Sequence, residues 1–308
     1  MLSSLVVTCV SYHHFEQTPS PYTRHLGVST SPAAFARHLA YFKRHYSPIS
    51  LDQLIAGDLP PNPLLLTIDD AYRSVLDIAA PLLSEHRIPA LLTTNPGVIA
   101  GGFAPIDNVL SLAMEELGAT GLGLAVGLTE PWSGSIRRVV REILPTLDLC
   151  RRAGLKERLL RLLGVEESHL VERMDLFLNP DQLARLVTEH GFTVGNHTVS
   201  HTTFRGLPRS QAQTEILGGK RQLEQMTGQN IRSFSFPYGN RLDATPDALE
   251  ILRASGHEAI FLVQRRTNAV RPSPDIWYRQ SMADDTELQL DMKLTWYPRM
   301  GELKAALN

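Results

Sequence analysis

Cysteine is scarce. The 308 residues hold two, Cys9 and Cys150, with no CxxC spacing. That excludes a disulfide-stapled scaffold and a cysteine metal cluster. It fits a reducing compartment in which both thiols are packing residues. Net charge is scarce as well: 30 Lys and Arg against 32 Asp and Glu leave a formal −2. No broad field favours nucleic acid or an anionic membrane. No run of 18 apolar residues occurs, so no transmembrane helix is expected. The opening "MLSSLVVTCVSYHH" has an apolar stretch, but no basic residue before it and no small-residue cleavage site after it. It reads as a first strand rather than an export signal, and a cytoplasmic location is the expectation. Internal repeats and low-complexity segments are missing too.

What is present is ordinary globular material, 43% apolar and 20% charged. The length suits one α/β domain with insertions or two ordinary domains. "LVVTCVSY" (5–12), "PLLLTIDD" (63–70) and "ALLTTN" (90–95) are short apolar runs of strand character. "STSPAAFARHLAYFKRHY" (29–46) is a helix, with Ser31 as N-cap, Pro32 at the first position and Phe35, Leu39 and Phe42 at helical spacing. "SVLDIAAPLLSEH" (74–86) is helical in pattern with Pro81 a weak point. Strands alternating with helices predict a parallel sheet or barrel.

Residues 101–175 break that rhythm with amphipathic helical stretches and no convincing strand. The alternation resumes with a helix over 179–191, the strand "FTVGNH", a long helix over 208–228, "IRSFSFPYG", "TPDALEILRASG" and "HEAIFLV". The division expected is therefore a barrel from 1–100 and 176–308, carrying a helical insertion at 101–175.

"GNHTVSHTTF" sets His197 and His201 four positions apart, just after a strand. Asp69 and Asp70 end another. In parallel α/β barrels functional groups gather at the C-terminal strand ends. Two imidazoles and one carboxylate with open positions suit a catalytic Zn²⁺ or Fe²⁺. Adjacent aspartates point different ways, so one can bind metal while the other stays free as a base. Taken singly, the histidines read better as chance neighbours and the aspartates as a helix cap.

These segments also carry a family likeness. "LLLTIDDAY" is similar to the TFDDG signature of the NodB-like polysaccharide deacetylases, carbohydrate esterase family four. "GNHTVSH" resembles their metal motif, and "SFSFPYGN" their third motif. "FARHLAYFKRHYSPISLDQL" looks like the segment before the first motif in the branch acting on poly-N-acetylglucosamine-type substrates. The likeness spans roughly residues 5–95 and 176–281. It implies an irregular, incomplete (β/α) barrel of the NodB-homology type. It implies that Asp70, His197 and His201 hold a divalent metal, usually zinc, and that Asp69 is the general base. It implies that the backbone N–H of Tyr238, after Pro237, holds the tetrahedral oxyanion.

Departures from the pattern are specific. Ala71 replaces the usual Gly of the first motif. Ser233 and Ser235 stand where some members carry an Arg that orients the base, and Arg279 is the candidate substitute. Asp275 and Trp277 resemble the fourth motif's D-x-W weakly. The fifth motif, L-x-x-H, is missing, so the usual general acid is absent or comes from His13 or His14; His14 reads more simply as a solvated loop residue. His13, Pro237, Trp277 and Arg279 are the substrate-binding candidates.

The function implied is a metal-dependent hydrolase that removes an N-acyl group from an amino sugar, saccharide, sugar nucleotide or lipid-linked sugar. Acetyl is the default and formyl the nearest variant. The alternatives are a metal-holding carbohydrate-binding pseudoenzyme and an O-acetyl esterase on a glycan. In the insertion, "SIRRVVREILPTL" sets Ile136, Val139, Val140 and Ile143 on one side and Arg137, Arg138, Arg141 and Glu142 on the other. A helix of this kind must bury its apolar side. The expectation is that it packs over the open rim as a lid, with basic residues facing an anionic group.

Overall fold

The computed structural model describes residues 6–128, 134–269 and 275–296. Seven strands form its centre: β1 (Val6–Tyr12), β2 (Pro63–Asp69), β3 (Ala90–Thr94), β4 (Thr193–Asn196), β5 (Ser233–Ser235), β6 (Ala259–Val263) and β7 (Ile276–Ser281). Each is parallel to its neighbour, and β1 pairs with both β2 and β7, which closes the sheet into a barrel. A short strand, Asn268–Ala269, adds antiparallel to β1.

Side chains alternate between the two faces of a strand, and this sorts the barrel. On β2, Leu64, Leu66 and Ile68 face outward and pack with Phe35, Leu39 and Phe42 of helix α1 (Pro32–His45). Leu65 faces inward, in a cluster with Cys9, Leu91, Phe261 and Trp277. Thr67 and Asp69 continue that inward face towards the C-terminal end. The interior is thus apolar at one end and polar at the other, where Thr67, Asp69, Thr93, Ser235 and Arg279 are all fully or nearly fully buried.

The local signals act as expected. The Ser31 side chain accepts from the Ala34 amide at the start of α1. The insertion supplies α2 (Ile106–Ala125), kinked at Gly118, then α3 (Leu149–Leu163) and α4 (Glu167–Met174). Helix α5 (Pro180–Thr188) opens with a capping box between Asn179 and Gln182. Helix α6 (Arg209–Thr227) ends at Gly228 in the left-handed region, and α7 (Pro246–Ala254) follows. Among the described residues no helix is long and apolar enough to cross a membrane.

Three expectations need correction. "SIRRVVREILPTL" is not one helix: a turn of α-helix (Ile136–Arg138) leads into a π-turn (Val139–Ile143) and a 3₁₀ turn (Leu144–Thr146). Pro145 has no amide hydrogen to continue the ladder, and its ring crowds the carbonyl four residues back. Pro81 has the same effect, with a π-turn at Val75–Ala79 before the α-helix Ala80–His86. Nor does the insertion bury its apolar side only on the barrel rim. Ile136, Val139 and Val140 join Leu110, Leu159, Leu160 and Leu170 in a core of its own, which Tyr238 of the barrel touches. Finally, Cys150 is exposed and packs nothing, whereas Cys9 is buried.

Candidate metal centre

Asp69 is clamped. Arg279, fully buried on β7, reaches across the barrel interior and donates from Nη1 to Asp69 Oδ1 and from Nη2 to Asp69 Oδ2, each at 2.6 Å. The same guanidinium donates to Thr67 Oγ1 at 2.8 Å and Ser235 Oγ at 2.6 Å. Thr93 donates a further hydrogen bond to Asp69 Oδ1. Burial alone would raise the Asp69 pKa, but the Arg279 charge prevails and holds the carboxyl well below the usual carboxylate range.

Asp70 points elsewhere because its backbone turns. Its φ is 70°, so the left-handed strain falls on Asp70 and not on Ala71. Its Oδ1 is buried with no hydrogen-bond partner. That oxygen lies 3.5 Å from His197 Nε2 and 3.4 Å from His201 Nε2. The ligand atoms of these three residues lie within 4.8 Å of one another. On the far side of each ring, His197 Nδ1 is 2.7 Å from the Ser235 carbonyl oxygen and His201 Nδ1 is 2.7 Å from Asp107 Oδ2. Those acceptors place the ring protons on Nδ1, which leaves both Nε2 lone pairs aimed at the orphaned oxygen. A buried acceptor with no donor beside two imidazole lone pairs is a donor set for a cation. Burial alone would raise the Asp70 pKa, yet His201 and His197 bring it down to about 2. Burial would lower His201, but Asp70 and Asp107 push it up to about 9, so the carboxylates favour a positive charge at Nε2, which a proton supplies unless a cation takes its place.

The loop carrying the histidines is strained and held. Asp70, Thr198, His201 and Tyr238 all have positive φ, at 70°, 70°, 54° and 62°. Such conformations cost about 1–3 kcal/mol each and persist only where the surroundings enforce them. Asn196 Oδ1 accepts from the Thr198 amide at 3.0 Å, and Asn95 Nδ2 donates to the carbonyls of His197 and Thr198.

Two residues of the insertion grip the same site, and the sequence gives no sign of either. Asp107, 7% exposed near the start of α2, accepts from His201 Nδ1 and from the Tyr238 hydroxyl at 2.9 Å. Burial and Asp107 hold the Tyr238 phenol well above its ordinary pKa, so it stays a donor. Arg152 of α3 donates to Thr202, to the carbonyl of Thr203 at 2.7 Å and to that of Arg205 at 3.1 Å. Its Nε donates at 3.1 Å to the Leu144 carbonyl, beside the break at Pro145. A cavity of about 850 Å³ opens over Asp69, Asp70, His197 and His201, and Ile136, Arg137, Val140 and Arg141 of the insertion line it.

The remaining candidates divide. His13 lines the cavity, with Nε2 3.9 Å from Asp69 Oδ2, and burial lowers its pKa. Arg279 also borders the cavity, from behind Asp69. Trp277 does not: it lies two residues deeper on the inward face of β7 and fills the apolar end of the barrel with Cys9 and Leu65. Pro237 is buried outside the cavity lining, in the turn that presents Tyr238 and Gly239. His14 is not a solvated loop residue. It is buried, 2.8 Å from Ser74 Oγ and stacked on Tyr72. Asp275 pairs with Arg253 away from the cavity.

Comparison with known proteins agrees with this fold. Residues 165–260, which include both histidines and the Pro237–Gly239 turn, match the polysaccharide deacetylase family. Most of the chain superposes on solved deacetylases. The Streptococcus pyogenes deacetylase PplD in complex with acetate gives a TM-score of 0.64 at 13% identity, over 95% of this chain and 99% of that one. IcaB from Ammonifex degensii gives 0.58 at 19%, over 94% and 97%. The BpsB deacetylase domain from Bordetella bronchiseptica gives 0.54 at 16%, over 91% and 97%. The fold is that of the polysaccharide deacetylases. Among curated proteins, none matches the sequence. Asp69 and Asp70 lie outside the matched span, and the parallel order β2–β3–β4 brings them to the histidines within it.

Proposed function

We propose that this protein is a divalent-metal-dependent hydrolase that removes an N-acyl group, acetyl by default, from an amino sugar. The observation that carries the reading is the orphaned Asp70 Oδ1 facing two imidazole Nε2 atoms, beside a second carboxylate that takes no part in that cluster. Asp70, His197 and His201 would hold the ion, and zinc suits this donor set. When bound, such an ion supplies Lewis acidity, which acidifies water and polarises an acyl carbonyl.

The residues of the chain do the rest. Asp69 accepts the proton of the attacking water. The Arg279 clamp trades basicity for orientation: it keeps Asp69 ionised and immobile but makes it a weak acceptor, so the water must already be acidified. The backbone N–H of Tyr238 is the donor assigned to the developing oxyanion. The His13 ring, 3.9 Å from Asp69, is the group placed to pass a proton to the leaving amine. Burial lowers its pKa, and the proton it would give to the amine is the one Asp69 takes from the water, relayed across the 3.9 Å between them.

The test is deacylation of a panel of N-acetyl and N-formyl sugars, saccharides and sugar nucleotides, with metal content measured on the same sample. Release of acetate or formate that stops on chelation and returns with zinc supports the reading. Full metal loading with no turnover on any member would instead support a metal-holding carbohydrate binder.

A further inference from the structure

The acids and the arginines of the cavity lie at different depths. Among the described residues Asp69, Asp70, Asp107 and Asp243 are its only Asp or Glu lining residues, and each is already engaged. Asp69 is held by Arg279, Asp70 faces the imidazoles, and Asp107 accepts from His201 and Tyr238. Asp243 accepts from Thr203 and, at 3.1 Å, from the Phe204 amide. Around them the lining includes Arg137, Arg141, Arg205, Arg241 and Arg265. Of these, Arg137, Arg141, Arg241 and Arg265 are exposed and Arg205 is half-buried.

These arginines come from separate segments. Arg137 and Arg141 lie on successive turns of the insertion, and Arg205 follows the histidine loop. Arg241 follows the Tyr238 turn, and Arg265 follows β6. Arg205 Nη2 donates to the Arg141 carbonyl at 2.8 Å, which draws two of the segments together. Among the described residues the side chains of Arg137, Arg141 and Arg241 engage no carboxylate. A chain of formal charge −2 therefore gathers unneutralised guanidinium groups around one opening. Such a collar focuses the local field on anions, and its planar forks match the oxygens of phosphate or carboxylate.

We propose that the substrate carries an oxyanion group, phosphoryl or carboxylate, on or next to the N-acylated sugar, and that Arg137, Arg141 and Arg241 hold it at the cavity mouth. This rests on the deacylase reading above and narrows its substrate class. A cavity of about 850 Å³ has room for a sugar with such a group, and the insertion closes one side of it.

The experiment has four substrates and a binding arm. Deacylation is measured on an N-acetylglucosamine oligosaccharide, N-acetylglucosamine 1-phosphate, uridine diphosphate N-acetylglucosamine and an oligosaccharide bearing a uronate. At least one anionic substrate should exceed the neutral one in kcat/KM by about tenfold or more, a gap that shrinks as added salt screens the collar. Comparing the phosphoryl and uronate arms identifies the source of the anion. The Arg141→Gln and Arg241→Gln variants should bring the ratio to within about twofold, with zinc content unaltered. Calorimetric titration with glucosamine and glucosamine 1-phosphate reads the same preference without turnover. Equal handling of neutral and anionic substrates by an active enzyme overturns this inference and leaves the deacylase reading standing. A phosphate preference in binding without any turnover does the reverse.

Discussion

Asp107 and His201 join the helical insertion to the candidate metal centre through one contact: the Asp107 carboxylate lies 2.7 Å from His201 Nδ1. A carboxylate in that position fixes the ring's tautomer and orientation, and loss of such a partner typically lowers metal affinity about 10–100-fold. Asp107→Ala should show that drop in a chelator-competition titration while its far-ultraviolet circular dichroism stays unaltered. An unchanged zinc affinity would reduce the insertion to a wall.

Asp69 should be dispensable for metal and essential for turnover. Asp69→Asn keeps the shape and removes the proton acceptor. Turnover should fall by about 10²–10⁴, the usual reach of general acid–base catalysis, with metal content intact. Full activity of the variant on a confirmed substrate would leave Asp69 a structural partner of Arg279.

Removal of Arg279 is expected to hurt the fold as well as the site. Arg279→Met would leave Asp69 ionised and unpaired in the barrel interior, and breaking a buried pair in this way costs about 3–5 kcal/mol. Urea unfolding measures it. A loss below about 1 kcal/mol, the size of a surface pair, would mean that water reaches and solvates Asp69.

Gly195 sits where β3, β4 and β5 crowd together. A Cβ there would clash with Ser233 Oγ and lie 2.8 Å from Thr93 Cγ2. Gly195→Ala should therefore destabilise by about 1–3 kcal/mol, as overpacking does. It should also weaken zinc binding, because His197 lies two residues on and Thr93 is hydrogen-bonded to Asp69. Wild-type values for both measurements would show that the strands part without strain.

His257 makes stability depend on pH. Burial, with Lys220 adding to it, lowers its pKa from 6.5 to about 4. The folded state therefore binds this proton less readily than the unfolded chain. The stabilisation from the neutral ring is complete above pH 6.5 and is lost as pH falls through about 4. Its size is at most about 3 kcal/mol, at 1.36 kcal/mol per unit. Unfolding free energies from pH 7 to 4 should show the slope, and His257→Gln should flatten it. Parallel curves for the two proteins would assign the slope to other groups.

The barrel and the Asp and His cluster at its polar end were legible in the sequence because their signals are local. Apolar runs ending in Asp-Asp or leading into His-x-x-x-His sit at strand ends by construction, and caps such as Ser31 and Asn179 mark helix starts. Asp107 and Arg152 were illegible. Nothing near Asp107 in sequence distinguishes it from any acid in a first helical turn, and its partner His201 is 94 residues away. Trp277 shows a different limit. It shares the inward face of β7 with Arg279, so periodicity treats the two alike. Depth separates them, and depth depends on how neighbouring strands are staggered. "SIRRVVREILPTL" failed as a helix for a reason that was in plain view, since Pro145 is part of the pattern.

The Asp69–Arg279 clamp also ties an early strand to the last strand of the ring. Asp69 is on β2 and Arg279 on β7, the strand that completes the ring against β1. A growing chain that has emerged only through β6 holds Asp70, His197 and His201, yet its Asp69 has no counter-charge and its sheet has an open seam. The three candidate ligands are therefore made before Asp69 can be paired. The last strand works as a bolt that joins closure of the sheet and pairing of Asp69, so a chain ending before Arg279 keeps Asp70, His197 and His201 but leaves Asp69 without its counter-charge.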